Sequence, residues 1–508
     1  MNKKRLIYLI VLIFFILSSS VYAGEIDYIK LDAYLTKVVL DAKVTGMAVG
    51  IIKDNEVVFA KGYGVCSVET NAPVNPQTQF GIGSCSKAFT AAAIGILVDE
   101  GKLRWNDKVI DFLPWFRLHD DYITKELTIE DLLCHRSGLS TFAGDILWFG
   151  TSYSSEEVVK RIKGIPIKKE FRSEFGYQSV MFIAAGLVIQ AVSGKTWQEF
   201  VEDRILKPLQ MNHSTSKFVD FKASSNIALP HFEGKSLPLI DYDNGGPAGG
   251  INASIEDILK WMKMWINNGL LGGEPFLSQR TFQTITSSHS IISSGSRTEP
   301  MGTHFVTYGF GWRLKDYAGR KIVLHGGALP GYLSQVVIVP EEKLGIVILV
   351  NDLVPIHDAL ANKILDLFLT DKDEDHVQQV MESFEKYKPI LEKQRQKRLG
   401  KQIPNTSTSL PLIEYTGLYT DEMYGDAEIS FIDGKLILSL LPTKEYFTSS
   451  MEHFHYDTFK IDFNFINLEF GLLTFNFNSD GKIQGFVIDL PSNDFNFSNL
   501  TFIKQNTK

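Results

Sequence analysis

Cysteine is scarce in this chain. Cys66, Cys85 and Cys134 are the only three in 508 residues, and an odd number spread so widely is not a disulfide framework, although one pair could close. Positive charge is in deficit too. The net charge is −8, and no long basic stretch lies near an aromatic cluster, which excludes nucleic acid as a partner and leaves the mild acidity a solubility role. No apolar run after the N-terminus is long enough to span a bilayer. There is no internal repeat of solenoid length, and no glycine loop with a Lys and Ser/Thr that would cradle phosphate. His453-Phe454-His455 offers two imidazoles on one strand face, but no further ligands are spaced to complete a metal site, so neither metal nor cofactor is expected.

What is present is an ordinary globular composition, 44% hydrophobic and 22% charged, in a chain long enough for two domains. Lys3, Lys4 and Arg5 precede the apolar segment Leu6 to Leu17, followed by Ser18 to Ser20 and Val21-Tyr22-Ala23. This is the pattern of a secretory signal over residues 1–23, cut after Ala23. The segment falls short of the roughly 20 apolar residues that a membrane anchor needs. With no Cys at the cleavage site, no lipid anchor is expected there. The mature protein is expected to be exported, periplasmic or secreted, without a stable membrane span.

Along the chain, Tyr28 to Val44 has helical spacing, and Met47 to Ile52 with Glu56 to Ala60 flank Lys53-Asp54-Asn55 as a hairpin. Phe80 to Thr90 is a polar turn running into the apolar helix Ala91 to Val98. Thr128 caps a short helix, Tyr177 to Val192 reads as a buried helix stopped by Gly194, and Ser254 caps another from Ile255 to Ile266. Tyr308 to Leu314, Ile322 to His325, Ser334 to Val339 and Leu344 to Val350 read as strands, and Ile356 to Leu369 as a closing helix. Residues 24–370 thus form one domain whose sheet is completed by distant parts of the chain. Residues 371–411 read as a charged helical connector and a linker. In residues 412–508, apolar–polar alternation between turns such as Asp433-Gly434 and Asp480-Gly481 predicts a small antiparallel barrel or sandwich.

Ser84 and Lys87 stand three residues apart at the first turn of the apolar helix, so a hydroxyl and an amine share one face at the positive end of its dipole. The same spacing recurs at Ser214 and Lys217, but with no apolar helix behind it. Lys87 serves as a base only when neutral, roughly three units below its reference value, which burial would favour. Tyr177 is placed to project a phenol into a cleft and share the proton. Ser179 follows two residues on. His325-Gly326-Gly327 ends an apolar strand where the glycines permit close backbone approach of a substrate. Cys85 reads as a packing residue.

Taken in order, Ser84-Cys85-Ser86-Lys87, Tyr177-Gln178-Ser179 and His325-Gly326-Gly327 resemble the three motifs of the class C β-lactamase and penicillin-binding-protein superfamily. Flanking pieces extend the resemblance over residues 25 to 370: Leu132 to Leu139, Lys207 to Met211, Pro247 to Gly250 and Tyr308 to Trp312. It implies an α/β (α+β) serine β-lactamase-like fold, a five-stranded antiparallel sheet flanked by helices with a helical subdomain. Residues after Ile413 resemble the lipocalin-like β-barrel appended to members of this superfamily. Ser84 would be acylated, Lys87 and Tyr177 would shuttle its proton, and the backbone N–H groups of Ser84 and Ala328 would form the oxyanion hole.

The third motif departs from the Lys-Thr-Gly common in β-lactamases. A permanent cation is replaced by a group ordinarily titrating near pH 6.5, as in D-aminopeptidase, DD-peptidase and esterase branches. The expectation is therefore an exported serine hydrolase acting on small esters, amides or D-amino-acid peptides. The alternatives are a class C-type β-lactamase, or a penicillin-recognising binding or sensing protein without efficient turnover.

Overall fold

The structure is a computed structural model that describes residues 26–293, 302–466, 468–492 and 494–505. The expected signal over residues 1–23 lies outside them. Among the described residues no single helix is long and apolar enough to cross a membrane.

The N-terminal helix α1 (Tyr28–Asp41) is held by the Asp27 carboxylate, which accepts from the backbone N–H of Ile29 and Lys30. It leads into the hairpin of β1 (Gly46–Lys53) and β2 (Glu56–Gly64), whose turn residues Asp54 and Asn55 both take positive φ, as a tight two-residue hairpin requires. The chain then leaves the sheet to build the helical layer. This contains α2 (Ser86–Asp99), α3 (Ser179–Ser193) and α4 (Ile255–Ile266). It returns as six strands: β3 (Ser290–Ile292), β4 (Val306–Tyr308), β5 (Arg313–Tyr317), β6 (Arg320–Leu329), β7 (Tyr332–Val339) and β8 (Leu344–Val350).

The resulting sheet has the order β3-β4-β5-β6-β7-β8-β1-β2, antiparallel throughout, so β1 pairs with β8 across some three hundred residues of sequence. It carries eight strands where the resemblance implied five. One source of the surplus is the stretch from Tyr308 to Leu314, expected as one strand. Its middle, residues 309–312, folds instead as the turn between β4 and β5, where Gly311 takes φ +69° and the Gly309 N–H donates to the Trp312 carbonyl at 2.8 Å. Both faces of the sheet are covered, which is why β8 is buried at all seven positions. Val347 and Leu349 face α2 and α4, whereas Leu344, Ile346, Ile348 and Val350 face α1 and α5 (His357–Leu369). Helix α2 is buried from Ser86 to Leu97, and its Phe89 stacks on Trp261 of α4 with ring centroids 4.1 Å apart.

The charged connector forms α6 (His376–Leu399), tied at its start by Tyr34 donating to Asp375 at 2.8 Å and by His376 against Asp366 at 2.7 Å. Ser409 in the linker donates to Asp457 at 2.6 Å. From Gly417 to Lys504 eight antiparallel strands close into a barrel, the first pairing with the last.

The barrel is docked, not tethered. Phe149, 4% exposed, projects from the helical layer and packs against Tyr446, Phe447, Phe465 and Phe495 of the barrel. Tyr153 donates to the Tyr424 carbonyl at 2.7 Å, and Arg161 to that of Met423 at 3.0 Å. One apolar core therefore runs from α2 and α3 into the barrel. Phe149→Ala is expected to destabilise the protein by about 3–5 kcal/mol, the usual cost of emptying a buried Phe site. A lowered guanidinium midpoint with native-like secondary structure by circular dichroism would report it.

Candidate active site

Ser84 lies in a single 3₁₀ turn, Gly83–Cys85, immediately before α2. Gly83 takes φ +50°, and a Cβ there would stand 2.9 Å from the Ala328 nitrogen, so only glycine brings this turn against β6. The seam tightens further along. A Cβ on Gly327 would lie 2.0 Å from the Ile82 carbonyl oxygen, and one on Gly326 would lie 2.8 Å from Gln335 Oε1. The space a side chain would take at these two glycines is held by the protein's own backbone and a neighbouring side chain. They bring the amide of Ala328 beside the Ser84 turn.

Lys87 is fully buried. Its Nζ donates to Ser84 Oγ at 3.1 Å and to the Ala248 carbonyl at 2.9 Å, and lies 4.8 Å from the ring centre of Tyr177 and 5.5 Å from that of Phe182. Burial drives the amine down to about 7, against the opposing pull of the Asp145 carboxylate. A buried amine so lowered is partly neutral near pH 7. Tyr177 is displaced the other way. Burial raises its phenol above the ordinary value, with the Ser84 hydroxyl acting in the opposite sense, so it remains protonated at neutral pH. Of the two, Lys87 is the group able to accept the Ser84 proton and Tyr177 the one able to donate.

Helix α3 begins at Ser179, two residues after the start read from the sequence. Gln178 is extended because its N–H donates to His135 Nδ1 at 3.1 Å and its side-chain amide to the Leu139 carbonyl at 2.6 Å. Tyr177 is consequently held by loop contacts: its N–H donates to Thr141 Oγ1 at 3.3 Å, and its carbonyl accepts from Phe142 N–H at 2.7 Å. The Ser179 hydroxyl donates to Asp145 Oδ2 at 3.4 Å.

His325 differs from expectation. It is 2% exposed, and burial, with the nearby Arg313 and Lys87 charges, pushes it well below its ordinary range. Nδ1 lies 2.7 Å from the Gly326 carbonyl, which only accepts, so Nδ1 carries the proton. Nε2 then accepts from the Tyr308 hydroxyl at 2.8 Å. The imidazole is neutral and both its nitrogens are occupied within the protein, so it is not the group titrating near pH 6.5 that the motif suggested.

Cys85 Sγ lies 3.2 Å from both the His325 carbonyl and Ser334 Oγ, and burial raises its thiol to about 12, which makes it packing rather than a nucleophile. All three cysteines are free and buried. At the second Ser-Lys pair, Ser214 donates to Asp257 at 2.9 Å and Lys217 to Glu202 at 3.3 Å, away from any nucleophile turn. In the barrel, His453 Nε2 is paired with the Tyr456 carbonyl at 2.9 Å, and among the described residues no three potential metal ligands converge.

Sequence reasoning missed Tyr308, Ala248 and Asp145. The first two sit in segments singled out for other reasons, and Asp145 in an irregular stretch with no periodic signal. A shallow depression lined by Phe218, Ile240, Tyr242, Gly249, Leu329 and Tyr332 lies next to the Ser84 turn, where a Cβ on Gly249 would stand 3.8 Å from Gly83. Gly249 follows the carbonyl that holds Lys87, and Leu329 follows Ala328.

Residues 31–370 match the Beta-lactamase family model, and residues 401–504 match a domain of unknown function (DUF3471). The chain is 28% identical over 426 residues to the unguisins hydrolase ungD' of Aspergillus campestris, covering 78% of this chain and 76% of that protein. It is 27% identical over 327 residues to protein flp of Staphylococcus aureus, covering 63% of this chain and 62% of that protein. In fold it resembles the octameric penicillin-binding protein homologue from Pyrococcus abyssi, with a TM-score of 0.62, 24% identity and coverage of 94% of this chain and 100% of that one.

Since Lys87 must be uncharged to accept a proton, kcat/KM on an ester is expected to rise about tenfold per pH unit below 7 and to level off above it, with no further limb from His325. Lys87→Arg, permanently charged, is expected to abolish that activity across the range. A pH–rate profile of both proteins checks this.

Proposed function

This chain belongs to the beta-lactamase family, and from that membership we propose that it is an exported serine hydrolase that forms an acyl-enzyme on Ser84 with ester, amide or D-amino-acid peptide substrates. The observation that carries the reading is the buried Lys87 amine, brought near neutrality by desolvation and hydrogen-bonded to the Ser84 hydroxyl.

In the first step Lys87 takes the hydroxyl proton as the Ser84 Oγ–carbon bond forms. The developing oxyanion meets the backbone N–H groups of Ser84 and Ala328, donors of a kind typically worth about 10²–10³ in rate each. The Tyr177 phenol protonates the leaving oxygen or nitrogen as its bond to carbon breaks, and Lys87 returns a proton to Tyr177. In the second step water attacks the ester, giving its proton to the same pair, and Ser84 Oγ leaves with a proton regained.

Two features favour neutral or apolar acyl groups over β-lactams. His325 presents no cation to a substrate carboxylate, because it is neutral and bonded to Tyr308. The adjoining depression is lined mostly by aromatic and aliphatic side chains, with Asp243 and Asn252 among them. The hydrolase name of the Aspergillus relative supports turnover over binding alone. Export rests on the Lys3 to Ala23 pattern.

A panel of p-nitrophenyl esters, D-Ala-D-Ala peptides and a chromogenic cephalosporin tests the proposal. Multiple turnover is expected on an ester or peptide, and no more than a stoichiometric burst on the cephalosporin. Ser84→Ala is expected to lower turnover by at least about 10³-fold. Full turnover by that variant would refute the assignment.

A further inference from the structure

Tyr177 stands before the first residue of α3, outside any helix or strand, yet its phenol must be aimed at one bond. One residue holds the backbone on both sides of it. The His135 carbonyl accepts the Gly176 N–H at 2.9 Å, and His135 Nδ1 accepts the Gln178 N–H at 3.1 Å. The centre of the His135 ring lies 4.3 Å from that of Tyr177. Residues 176, 177 and 178 are thus met in turn by the carbonyl, the ring and the Nδ1 of a single histidine.

This grip depends on an uncommon backbone and a fixed base. His135 takes φ +61°, the left-handed region, one residue after Cys134 ends the short helix Ile129–Leu133. The next residue, Arg136, pairs with Glu130 at 2.7 Å and with the fully buried Asp131. Arg172, from the loop that leads to Tyr177, donates to the same Asp131 at 2.8 Å. The two loops are therefore joined by charge at one end and by His135 at the other.

His135 is completely buried. Its Nδ1 accepts from an amide and so carries no proton, which leaves the proton of the neutral ring on Nε2. Burial, helped by the nearby Lys87 and Arg313 charges, keeps the ring neutral. Nε2 has no hydrogen-bond partner among the described residues, and the rings of Tyr308 and Phe182 lie 4.6 and 5.2 Å away. A buried N–H without an acceptor is unfavourable, and an apolar ring would fill this space without that cost. What an apolar ring cannot do is accept the Gln178 N–H.

We propose that His135 is a positioning residue for proton delivery by Tyr177, acting through the hydrogen bond to Gln178 and the contact with the phenol ring. It rests on the reading of Tyr177 as the group that protonates the departing atom. The Lys87 contacts with Ser84 and Ala248 use none of these groups, so loss of His135 falls on the Tyr177 step.

Leaving groups separate this role from a merely structural one. p-Nitrophenolate departs without a proton and ethoxide requires one, so the full chain is assayed on the p-nitrophenyl and ethyl esters of one acid. Neither His135→Leu nor His135→Gln places an acceptor where Nδ1 stood. In both, kcat for the ethyl ester is expected to fall at least about tenfold more than kcat for the p-nitrophenyl ester. In His135→Asn, whose Oδ1 falls near the Nδ1 position and which tolerates positive φ, most of that selective loss is expected to be recovered. In a Tyr177→Phe background the selective loss of His135→Leu is expected to vanish, because both changes disable one step. Equal losses on the two esters, no recovery in His135→Asn, or losses additive with Tyr177→Phe would overturn the proposal. Should His135→Leu fail to fold, His135→Gln carries the same comparisons. Equal losses on the two esters in Tyr177→Phe alone overturn the reading of Tyr177 instead, which separates the two failures.

Discussion

The candidate site depends on one ammonium being taken out of water. Holding Lys87 near 7 instead of its ordinary 10.5 corresponds to a disfavour of the charged form on the order of 5 kcal/mol. That disfavour exists only while the amine stays dry. The apolar all-round surface of α2, the rings of Tyr177 and Phe182, and the stack of Phe89 on Trp261 are what keep it so. The Ala248 carbonyl and Ser84 Oγ meet two of its hydrogen-bonding needs without supplying a full counter-charge.

The second constraint is a seam with no spare atom. Gly83 on the nucleophile turn and Gly327 on β6 meet so closely that a methyl group on either would strike backbone. Register across β6 and β7 fixes His325 against Val336 and Ala328 against Leu333, and so carries the position of the Ala328 amide from the sheet to Ser84. The sheet is closed by β1 pairing with β8. Strands from both ends of residues 46–350 must be in place before Ser84 and the Ala328 amide meet.

Much of this was legible in the sequence, and what was legible had local or ordered signatures. The apolar helix behind Ser84, the Asp54-Asn55 turn and the alternation after residue 412 declare themselves within short windows, and the order of the three motifs distinguished Ser84 from Ser214. The misreadings concern partners that approach from elsewhere. The motif gave His325 as a titrating group because it said nothing of the Tyr308 hydroxyl. Tyr177 was read inside a helix because nothing near it reveals that His135 takes the Gln178 N–H. Asp145 falls in a stretch with no periodic signal, and its hydrogen-bond partner Ser179 stands 34 residues later in the chain.

The seating of Phe149 inside the barrel's aromatic cluster changes what the linker before residue 412 divides. That linker separates two stretches of polypeptide, yet the solvent boundary runs elsewhere, because the helical layer and the barrel share one continuous apolar interior. Cutting the chain there would not release an enzyme and an accessory. It would uncover Phe149 and leave the shorter piece with an apolar face open to water. Homologous shuffling of barrels between such enzymes would meet the same condition: a replacement must fit the cavity around one phenylalanine before it can contribute anything else.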